Sequence, residues 1–313
     1  MRFIDFSSSF SAPIHARLDS AAQAFLTLEG APRFDFSEPR GEPALSGPDS
    51  VSWRVFKNPV SLFIGGVTAV LLEFAEPRVR AGVWDHSIFR RDPVTRLRRT
   101  GLAAMATVYG ARSRSERMIA SVNRIHQRVS GTTPSGEAYA ASDLDLLNWV
   151  QATASYGFLE AYANYVAPLS EAEKNRFYAE SRSSARLYGA TGAPTSIAEQ
   201  RALFAKMAPR FERSNIIFEF ISIMRKAQAL PGPLQLAQRV FIRAAVDLLP
   251  DDVRRTLGLT RRYGLRPFEG RVVKRLGRRA DLIVLASAPP AQACLRLGLP
   301  ADYLYRKAAD EAA

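Results

Sequence analysis

The sequence predicts an all-α protein of many helices, on three observations. Apolar residues recur at helical spacing in one segment after another from Val51 onward. Residues that favour helix N-caps stand where several of these segments begin. Alternating strand patterns are scarce: "GRVVKRL" and "DLIVLAS" are the only short β-like runs, and both suit a helix equally well. The chain has 313 residues, of which 47% are hydrophobic and 23% charged, so it can bury a substantial core.

Residues 1–50 are rich in Ser, Pro and Gly and predict an irregular N-terminal arm with one or two short helices. The stretch "VSLFIGGVTAVLLEFA" then predicts a buried helix. It has about 13 apolar or Gly positions before Glu73, whereas a membrane span needs about 20. The start, "MRFIDFSSSF", lacks the apolar run of a signal peptide. We therefore expect a cytoplasmic protein with neither a signal peptide nor a transmembrane helix.

The middle of the chain predicts two successive helices. "DPVTRLRRTGLAAMATVYG" has Asp92 as a plausible N-cap, Pro93 in the first turn and Gly110 beyond the last. "SRSERMIASVNRIHQRVSG" is expected to open with a capping box and to stop at a glycine; these residues are Ser113, Glu116 and Gly131.

Further helices are predicted downstream. The long apolar-periodic run "SDLDLLNWVQATASYGFLEAYANYV" is ended by Pro168. Two more capping boxes, Ser170/Glu173 and Ser196/Glu199, open "LSEAEKNRFYAESRSSARLYG" and "SIAEQRALFAKM". The segments "ERSNIIFEFISIMRKAQAL", "PLQLAQRVFIRAAVDLLP" and "PDDVRRTLGL" complete the predicted helices, and no internal repeat is present.

One of the three histidines of the chain falls on an apolar helix face. The residues of this stripe are Ile119, Val122, His126 and Val129. Two interpretations of His126 remain open. It is either a core histidine bonded to a carbonyl or an axial ligand, because a neutral imidazole on an apolar helix face is what holds haem iron in globin-like pockets.

Other metal chemistry is poorly supported by the sequence. A non-haem iron site of two histidines and a carboxylate would have to use His15, His86 and His126, and no His-x-Asp/Glu pair is present. The single cysteine, Cys294, excludes a disulfide framework, a Cys-rich zinc site and a cysteine-ligated iron–sulfur cluster. Its context, "APPAQACLRLG", lacks the Gly-rich loop of a thiolate-ligated haem, so we expect Cys294 in the core or a loop.

The motif "RLRRT" places Arg96 and Thr100 four residues apart on one helix face, with Arg99 beside them. A guanidinium and a hydroxyl projecting together can bind a haem propionate or hydrogen-bond dioxygen. The alternative is the solvated basic start of a helix.

Two carboxylates, Glu73 and Glu76, follow the apolar helix. A buried glutamate has a raised pKa and can act as a general base near neutrality. The alternative is a pair of helix-end charges bonded to Arg78 or Arg80.

The net charge is +13 and the pI about 10.3, which suit an anionic membrane surface, a nucleic acid or an acidic ligand. The arginines are spread over several segments and are densest from Arg254 to Arg279. The alternative is arginine used freely on solvated faces. No zinc-finger, RRM or basic-zipper pattern accompanies the charge, so we do not expect nucleic acid as the partner.

Several separated blocks together resemble the MpaB-type oxygenase family, which includes the rubber oxygenases. These blocks are "GGVTAVLLEFAEPRVRAGVWDHSIFRRDPVTRLRRT", "VYG", "IHQRVSG", "YAASDLDLLNWVQAT", "AYANYVAPLSEAEKNRFYAES" and "LLPDDVRRTLGL". The resemblance runs from about residue 55 to 260. It implies a catalytic domain over 51–260, preceded by the arm at 1–50 and followed by a helical extension, 261–313, packed on the same domain.

The resemblance implies a globin-like core that holds haem b through one protein histidine, and this role carries over to His126. It also places Arg96, Arg99 and Thr100 near the haem, with arginine where relatives have lysine. His86, in "WDHS", fits the family pattern as a residue near the haem or on its distal side. The alternative for His86 is the ligand role itself.

The rubber oxygenases use an acidic residue upstream of "RLRRT" as base, so Glu76 is the first candidate and Glu73 the second. Many relatives have Gln and His at these two positions. Many also have a second histidine where this chain has Gln151.

The function implied is a haem-dependent oxygenase that activates dioxygen on an apolar, isoprenoid-like unsaturated small molecule, with oxidative cleavage or hydroxylation. The aromatic-rich segment from Trp149 to Tyr165 suits such a substrate, and the basic surface suits peripheral contact with a membrane. Two alternatives are a haem-binding sensor or carrier without turnover and a basic helical membrane-surface module without cofactor.

Overall fold

The computed structural model describes residues 34–230 and 234–310, together with four helical positions between 16 and 23. The prediction of an all-α protein is confirmed, since most of the described residues are helical. The first helices are α1 (Val51–Phe56), α2 (Pro59–Glu73), α3 (Pro77–His86), α4 (Pro93–Tyr109) and α5 (Arg112–His126).

A short antiparallel hairpin follows α5, with Ser130 opposite Ala140. Its strands are β1 (Ser130–Thr132) and β2 (Ala138–Ala140). The later helices are α6 (Leu144–Tyr165), α7 (Glu171–Glu180), α8 (Arg182–Leu187), α9 (Ile197–Met207), α10 (Asn215–Lys226), α11 (Leu234–Asp247), α12 (Asp251–Thr256), α13 (Glu269–Ala280), α14 (Pro289–Arg296) and α15 (Tyr303–Asp310). Two 3₁₀ turns, Ala208–Arg210 and Arg261–Tyr263, lie between them.

Two of the predicted helix starts are confirmed in full. Asp92 caps α4 by accepting a hydrogen bond from Thr95 N at 3.0 Å, and Pro93 begins the helix. At α7 the side chains of Ser170 and Glu173 bond to each other's backbone N–H, which completes the predicted capping box. These caps satisfy N–H groups that have no partner within the helix.

The predicted bounds of α5 are wrong at both ends. The helix begins at Arg112, and Ser113 bonds through its N–H and hydroxyl to the carboxylate of Glu42 instead of capping the helix. At the other end α5 stops at His126, so Gly131 lies in β1. Tertiary contact with the arm therefore replaced the local capping pattern.

The Ser196/Glu199 box is half formed, and the β-like runs are not strands. Ser196 accepts from Glu199 N, but the Glu199 carboxylate binds the N–H and hydroxyl of Thr195. The run "GRVVKRL" lies within α13, while "DLIVLAS" forms turns. The hairpin was not predicted.

Helices α2 and α6 cross at the centre of the molecule with their backbones in close contact. A Cβ on Gly65 would lie 2.7 Å from Gly157 O, and one on Gly157 would lie 2.4 Å from Gly65 O. Only glycine permits this approach. One face of α2 therefore packs directly against α6.

The arm and the C-terminal helices pack on this central pair. Arg296 of α14 is buried, and its guanidinium donates to the carbonyl oxygens of Phe36, Glu42 and Tyr109. Cys294 is buried in the same region, as expected of a core cysteine, and burial raises the pKa of its thiol to about 11. The arm from residue 34 is thus fixed to the end of α4.

The end of α13 is joined to the start of α2 by buried polar contacts. Lys57 Nζ lies 3.0 Å from Asp281 Oδ2, and Asn58 Nδ2 donates to Gly277 O at 2.9 Å. Asn58 Oδ1 also caps α2. The chain beyond residue 260 therefore shares the core of the preceding helices.

Within the described ranges no single helix has both the length and the apolarity needed to cross a bilayer. The pair α2 and α3 passes by length and composition together, but the two helices meet at 113°. Much of α2 is buried inside the protein.

Candidate functional site

His126 is the last residue of α5 and points its imidazole toward the protein interior. Its Nδ1 atom is buried and has no hydrogen-bond partner among the residues that the structure describes. Burial, with a smaller contribution from the nearby Arg96 charge, lowers the pKa of His126 below its usual value. The imidazole is therefore neutral at physiological pH, and Nδ1 has no bond to a carbonyl of the kind expected for a structural core histidine.

Arg96 lies in the first turns of α4 and faces both His126 and Glu73. Burial lowers the pKa of its guanidinium, and the Glu73 carboxylate partly offsets this effect. The guanidinium also donates to the hydroxyl of Thr100, which in turn donates to Arg96 O at 2.9 Å. The two side chains of "RLRRT" thus lie together on one helix face, as the spacing predicted.

Glu73, the last residue of α2, is the second charged partner of Arg96. Burial raises the pKa of its carboxyl group to about 7, and Arg96 opposes this rise. No salt bridge to Glu73 occurs among the described residues. Glu73 is thus part protonated and part ionised near neutral pH, which is the condition for exchange of a proton.

Three side chains from three helices thus form one electrostatic group: Glu73, Arg96 and His126. Each is desolvated by surrounding protein, yet each keeps some accessible surface. The charge of Arg96 acts on both Glu73 and His126, so the three side chains lie near one another where α2, α4 and α5 meet, in a region that is partly accessible.

The face of α2 that leads to Glu73 is also partly accessible. Gly66, Val70 and Glu73 follow one another at steps of four and three, and all three are part exposed. A Cβ on Gly66 would meet only the Phe158 ring, at 4.0 Å, whereas Gly65 next to it has no such room. The second glycine of the pair in "FIGGVT" therefore has room for a small side chain beside Phe158.

Glu76 has a different environment and is not supported as the base. It is fully buried, caps α3 by accepting from Val79 N at 2.9 Å, and pairs with Arg78 Nε at 2.7 Å and Arg210 Nε at 3.1 Å. Both arginines also reach Glu137 in the hairpin. The sequence-based preference for Glu76 over Glu73 is therefore reversed, because the oxygens of Glu76 are already bound.

His86, Arg99 and Gln151 are not brought into contact with this group. His86 is exposed at the end of α3, where its ring lies edge-on to Tyr139 of the hairpin. Arg99 is exposed and acts on Arg96 only through its charge. Gln151 Nε2 donates to Ser155 Oγ at 3.4 Å. The expectation that His86 lies near a cofactor is therefore not supported, because its imidazole faces solvent and the hairpin. His15 lies outside the described residues.

Two polar features on the neighbouring helices were not predicted from the sequence. Asn123, three residues before His126, donates to Leu187 O at 2.7 Å, and its buried Oδ1 has no partner in the described ranges. The hydroxyls of Thr107 and Tyr188 are bonded at 3.0 Å. The sequence could have indicated Asn123, because its spacing puts it on the side of α5 that carries the histidine. Tyr188 follows a helix that is distant in sequence, so no sequence pattern connects it with Thr107.

A groove lies elsewhere in the described structure. It has a volume of about 710 Å³ and is lined by residues of α6, α7 and α9, among them Tyr156, Glu160, Lys174, Gln200 and Arg201. Its walls mix both signs of charge, with Lys174 and Glu160 paired at 2.7 Å. None of the predicted site residues lines it.

A comparison with known families finds a match that spans the group around His126. The model for the catalytic domain of the ER-bound oxygenase mpaB/B' and the rubber oxygenase matches residues 53–281. The chain belongs to this family of oxygenase catalytic domains. The match begins in α1 and ends at Asp281, so it includes Glu73, Arg96 and His126. No curated protein and no solved structure matches the chain.

Membership of this oxygenase family supports an oxidoreductase activity. Across the described residues, no three His, Cys, Asp or Glu side chains come together as a metal site. A proposal of bound iron in this oxygenase domain therefore depends on the single imidazole of His126.

Proposed function

We propose that the protein is a haem b-dependent oxygenase that acts on an apolar, unsaturated small molecule of the isoprenoid class. Dioxygen is the second substrate, and the product arises by oxidative cleavage or hydroxylation. The observation that supports this most directly is that the neutral imidazole of His126 lies near Arg96, which in turn lies near Glu73.

The residues present fit a haem. His126 offers an imidazole whose buried Nδ1 has no hydrogen-bond partner among the described residues, and a Cβ added at Gly66 would contact only the Phe158 ring. Arg96 and Thr100 offer a guanidinium and a hydroxyl for a propionate, and Arg99 adds a further positive charge at the same end of α4. When bound and reduced, a haem supplies the activation of dioxygen.

Glu73 is the residue of this chain that moves a proton. With a pKa of about 7, Glu73 is partly ionised near neutral pH, so its carboxylate is available to accept the allylic proton that the substrate gives up as it is oxidised, and it later releases that proton to solvent or to the product. The guanidinium of Arg96 stabilises the ionised form of Glu73 while the proton is absent from it. Burial raises the pKa of Glu73 and Arg96 lowers it, and these two effects together give a pKa of about 7.

The surroundings of Glu73 favour an apolar substrate. Val70 lies on the same side of α2 as Glu73, Phe158 lies beside Gly66, and neither side chain offers a polar atom. Glu73 is partly desolvated by the protein, and this desolvation is the main cause of its raised pKa. An apolar chain that packs against these side chains is removed from water, which is favourable.

A pair of histidine variants tests the ligand. We expect the purified protein to show a haem absorption spectrum that changes on reduction with dithionite. His126→Ala should lose the haem, while His86→Ala, a matched exposed histidine, should keep it. Full haem content in His126→Ala would refute the ligand assignment. A preparation that takes up no hemin would refute haem dependence and would favour a protein without this cofactor.

Turnover separates an oxygenase from a sensor or carrier. With squalene as a probe, the haem-loaded protein should consume dioxygen and release a product containing new carbonyl or hydroxyl oxygen from ¹⁸O₂. Glu73→Gln should retain the haem spectrum but lose most of this turnover. Haem binding without any oxygen uptake, across apolar unsaturated probes, would contradict the proposed catalysis and favour the sensor or carrier.

A further inference from the structure

Helix α13 presents a strongly basic outer face. Its inner side is fixed to the core by Val273 and Gly277, which are buried. The side chains that face outward and are exposed are almost all basic: Arg271, Lys274, Arg275, Arg278 and Arg279. A helix with one buried side and one basic side is typical of a surface that meets an anionic partner.

This positive charge is not neutralised within the described part of the chain. None of the five basic residues forms a salt bridge with a described residue. Between residues 255 and 279 the one acidic side chain is Glu269, and it is paired with Arg243. Arg261, Arg262 and Arg266, just before α13, are exposed as well. The charge is therefore available to an external partner.

Exposed apolar side chains stand among these basic residues. Phe268, immediately before α13, is 72% exposed, and Val272, one turn later on the same side, is 49% exposed. Leu282, beyond the end of the helix, is 58% exposed. Phe268 also has a φ of +69°, a conformation that costs about 1–2 kcal/mol in a residue with a Cβ. The fold thus holds the Phe268 ring in solvent, despite the backbone strain and the cost of exposing an apolar ring to water.

We propose that the outer face of α13, together with Phe268, docks the protein on an anionic lipid surface. The basic side chains contact lipid phosphates, while Phe268 and Val272 enter the boundary between headgroups and acyl chains. Lipid is favoured over nucleic acid because the aliphatic side chains of Val272 and Leu282 gain from entering an apolar medium. A nucleic acid offers such side chains little beyond water. This inference is independent of the proposed oxygenase activity.

Vesicle binding of the full-length protein tests this surface. Sedimentation with vesicles of phosphatidylcholine containing phosphatidylglycerol should remove the protein from solution, whereas pure phosphatidylcholine should leave it there. The double change Lys274→Glu and Arg278→Glu should weaken partitioning at least about tenfold, since each basic residue near an anionic surface contributes several-fold. The matched control is Arg182→Glu with Arg186→Glu, an exposed pair at the same spacing on α8, which should bind like the parent.

Phe268 allows an independent test that does not depend on charge. Phe268→Gly should weaken vesicle binding severalfold without loss of stability, because glycine adopts a positive φ freely. Phe268→Trp should keep binding, and its fluorescence should shift to the blue on anionic vesicles, since the three native tryptophans are buried.

Three results would overturn the proposal. One is equal binding to neutral and anionic vesicles. Another is parent-like vesicle binding by the Lys274→Glu, Arg278→Glu variant. The third is salt-sensitive binding to a DNA or RNA oligonucleotide that displaces vesicles and is unaffected by Phe268→Gly, which would assign the surface to nucleic acid.

Discussion

Glu73 and Glu76 are three residues apart, but their carboxylates have opposite environments. Glu76 caps α3 and pairs with Arg78 and Arg210, whereas Glu73 has no salt bridge within the described structure and is influenced by the charge of Arg96. The turn between α2 and α3 causes the difference, because it directs one carboxylate into a network of donors and leaves the other without one. The first two predictions follow from this contrast.

Glu73→Gln should stabilise the protein at alkaline pH and leave it unchanged at acid pH. The folded pKa of Glu73, about 7, lies above its ordinary value of 4.5, so folding disfavours the ionised form. The cost is absent below the ordinary pKa, grows as pH rises toward 7 and is complete above it, where it reaches at most roughly 3 kcal/mol. Urea unfolding of both proteins at pH 4 and pH 8 measures this. An equal difference at both pH values would contradict it.

Glu76→Gln should destabilise the protein at neutral pH. The change leaves the guanidinium groups of Arg78 and Arg210 without their shared buried carboxylate, at a cost of roughly 3 kcal/mol. At pH 8 we therefore expect Glu76→Gln to lower the free energy of unfolding and Glu73→Gln to raise it. If both variants shifted the urea midpoint in the same direction, the assignment of the two environments would be wrong.

Turnover should depend on the ionised fraction of Glu73. With a pKa of about 7, the rate of probe oxidation is expected to rise with pH and to reach half its plateau near pH 7. Glu73→Gln should abolish most of the rate, and its residual rate should not rise with pH. Initial rates measured between pH 5.5 and 8.5 test this prediction. If the rate of the variant rose with pH as that of the parent does, Glu73 would be excluded as the base.

Gly65 and Gly66 should respond differently to the same substitution. Gly65→Ala places a Cβ 2.7 Å from Gly157 O and should cost about 2 kcal/mol or more, since α2 and α6 must separate. Gly66→Ala would contact only the Phe158 ring and should gain up to about 1 kcal/mol from helix propensity. Gly66→Leu should remain folded but lose hemin uptake if haem binds beside this face of α2. Thermal melts and hemin titrations report the two effects, and normal hemin uptake by Gly66→Leu would refute haem binding at this face.

Arg296→Leu should release the arm from the core. The change leaves the carbonyl oxygens of Phe36, Glu42 and Tyr109 without their shared donor, which should cost roughly 3 kcal/mol. Arg306→Leu, at an exposed arginine paired with Asp302, should cost less than about 1 kcal/mol. Limited proteolysis near residues 34–50 together with thermal melts distinguishes them. Equal effects of the two changes would show that the buried contacts contribute little.

The sequence by itself determined the all-α fold class, several helix starts and the pairing of Arg96 with Thr100. These depend on residues within one turn of each other, such as Asp92 with Thr95, so that local spacing is sufficient. It also placed His126 on the inner side of its helix, because burial there follows helical periodicity.

Only the tertiary structure determined which of the two glutamates is bound by arginines, where α5 begins and where the hairpin forms. Arg210 is distant in sequence from Glu76, Glu42 from Ser113, and strands of three residues are too short for an alternating pattern. Each outcome depends on partners that only folding brings together, and their hydrogen bonds and charges outweigh the local preferences of the chain.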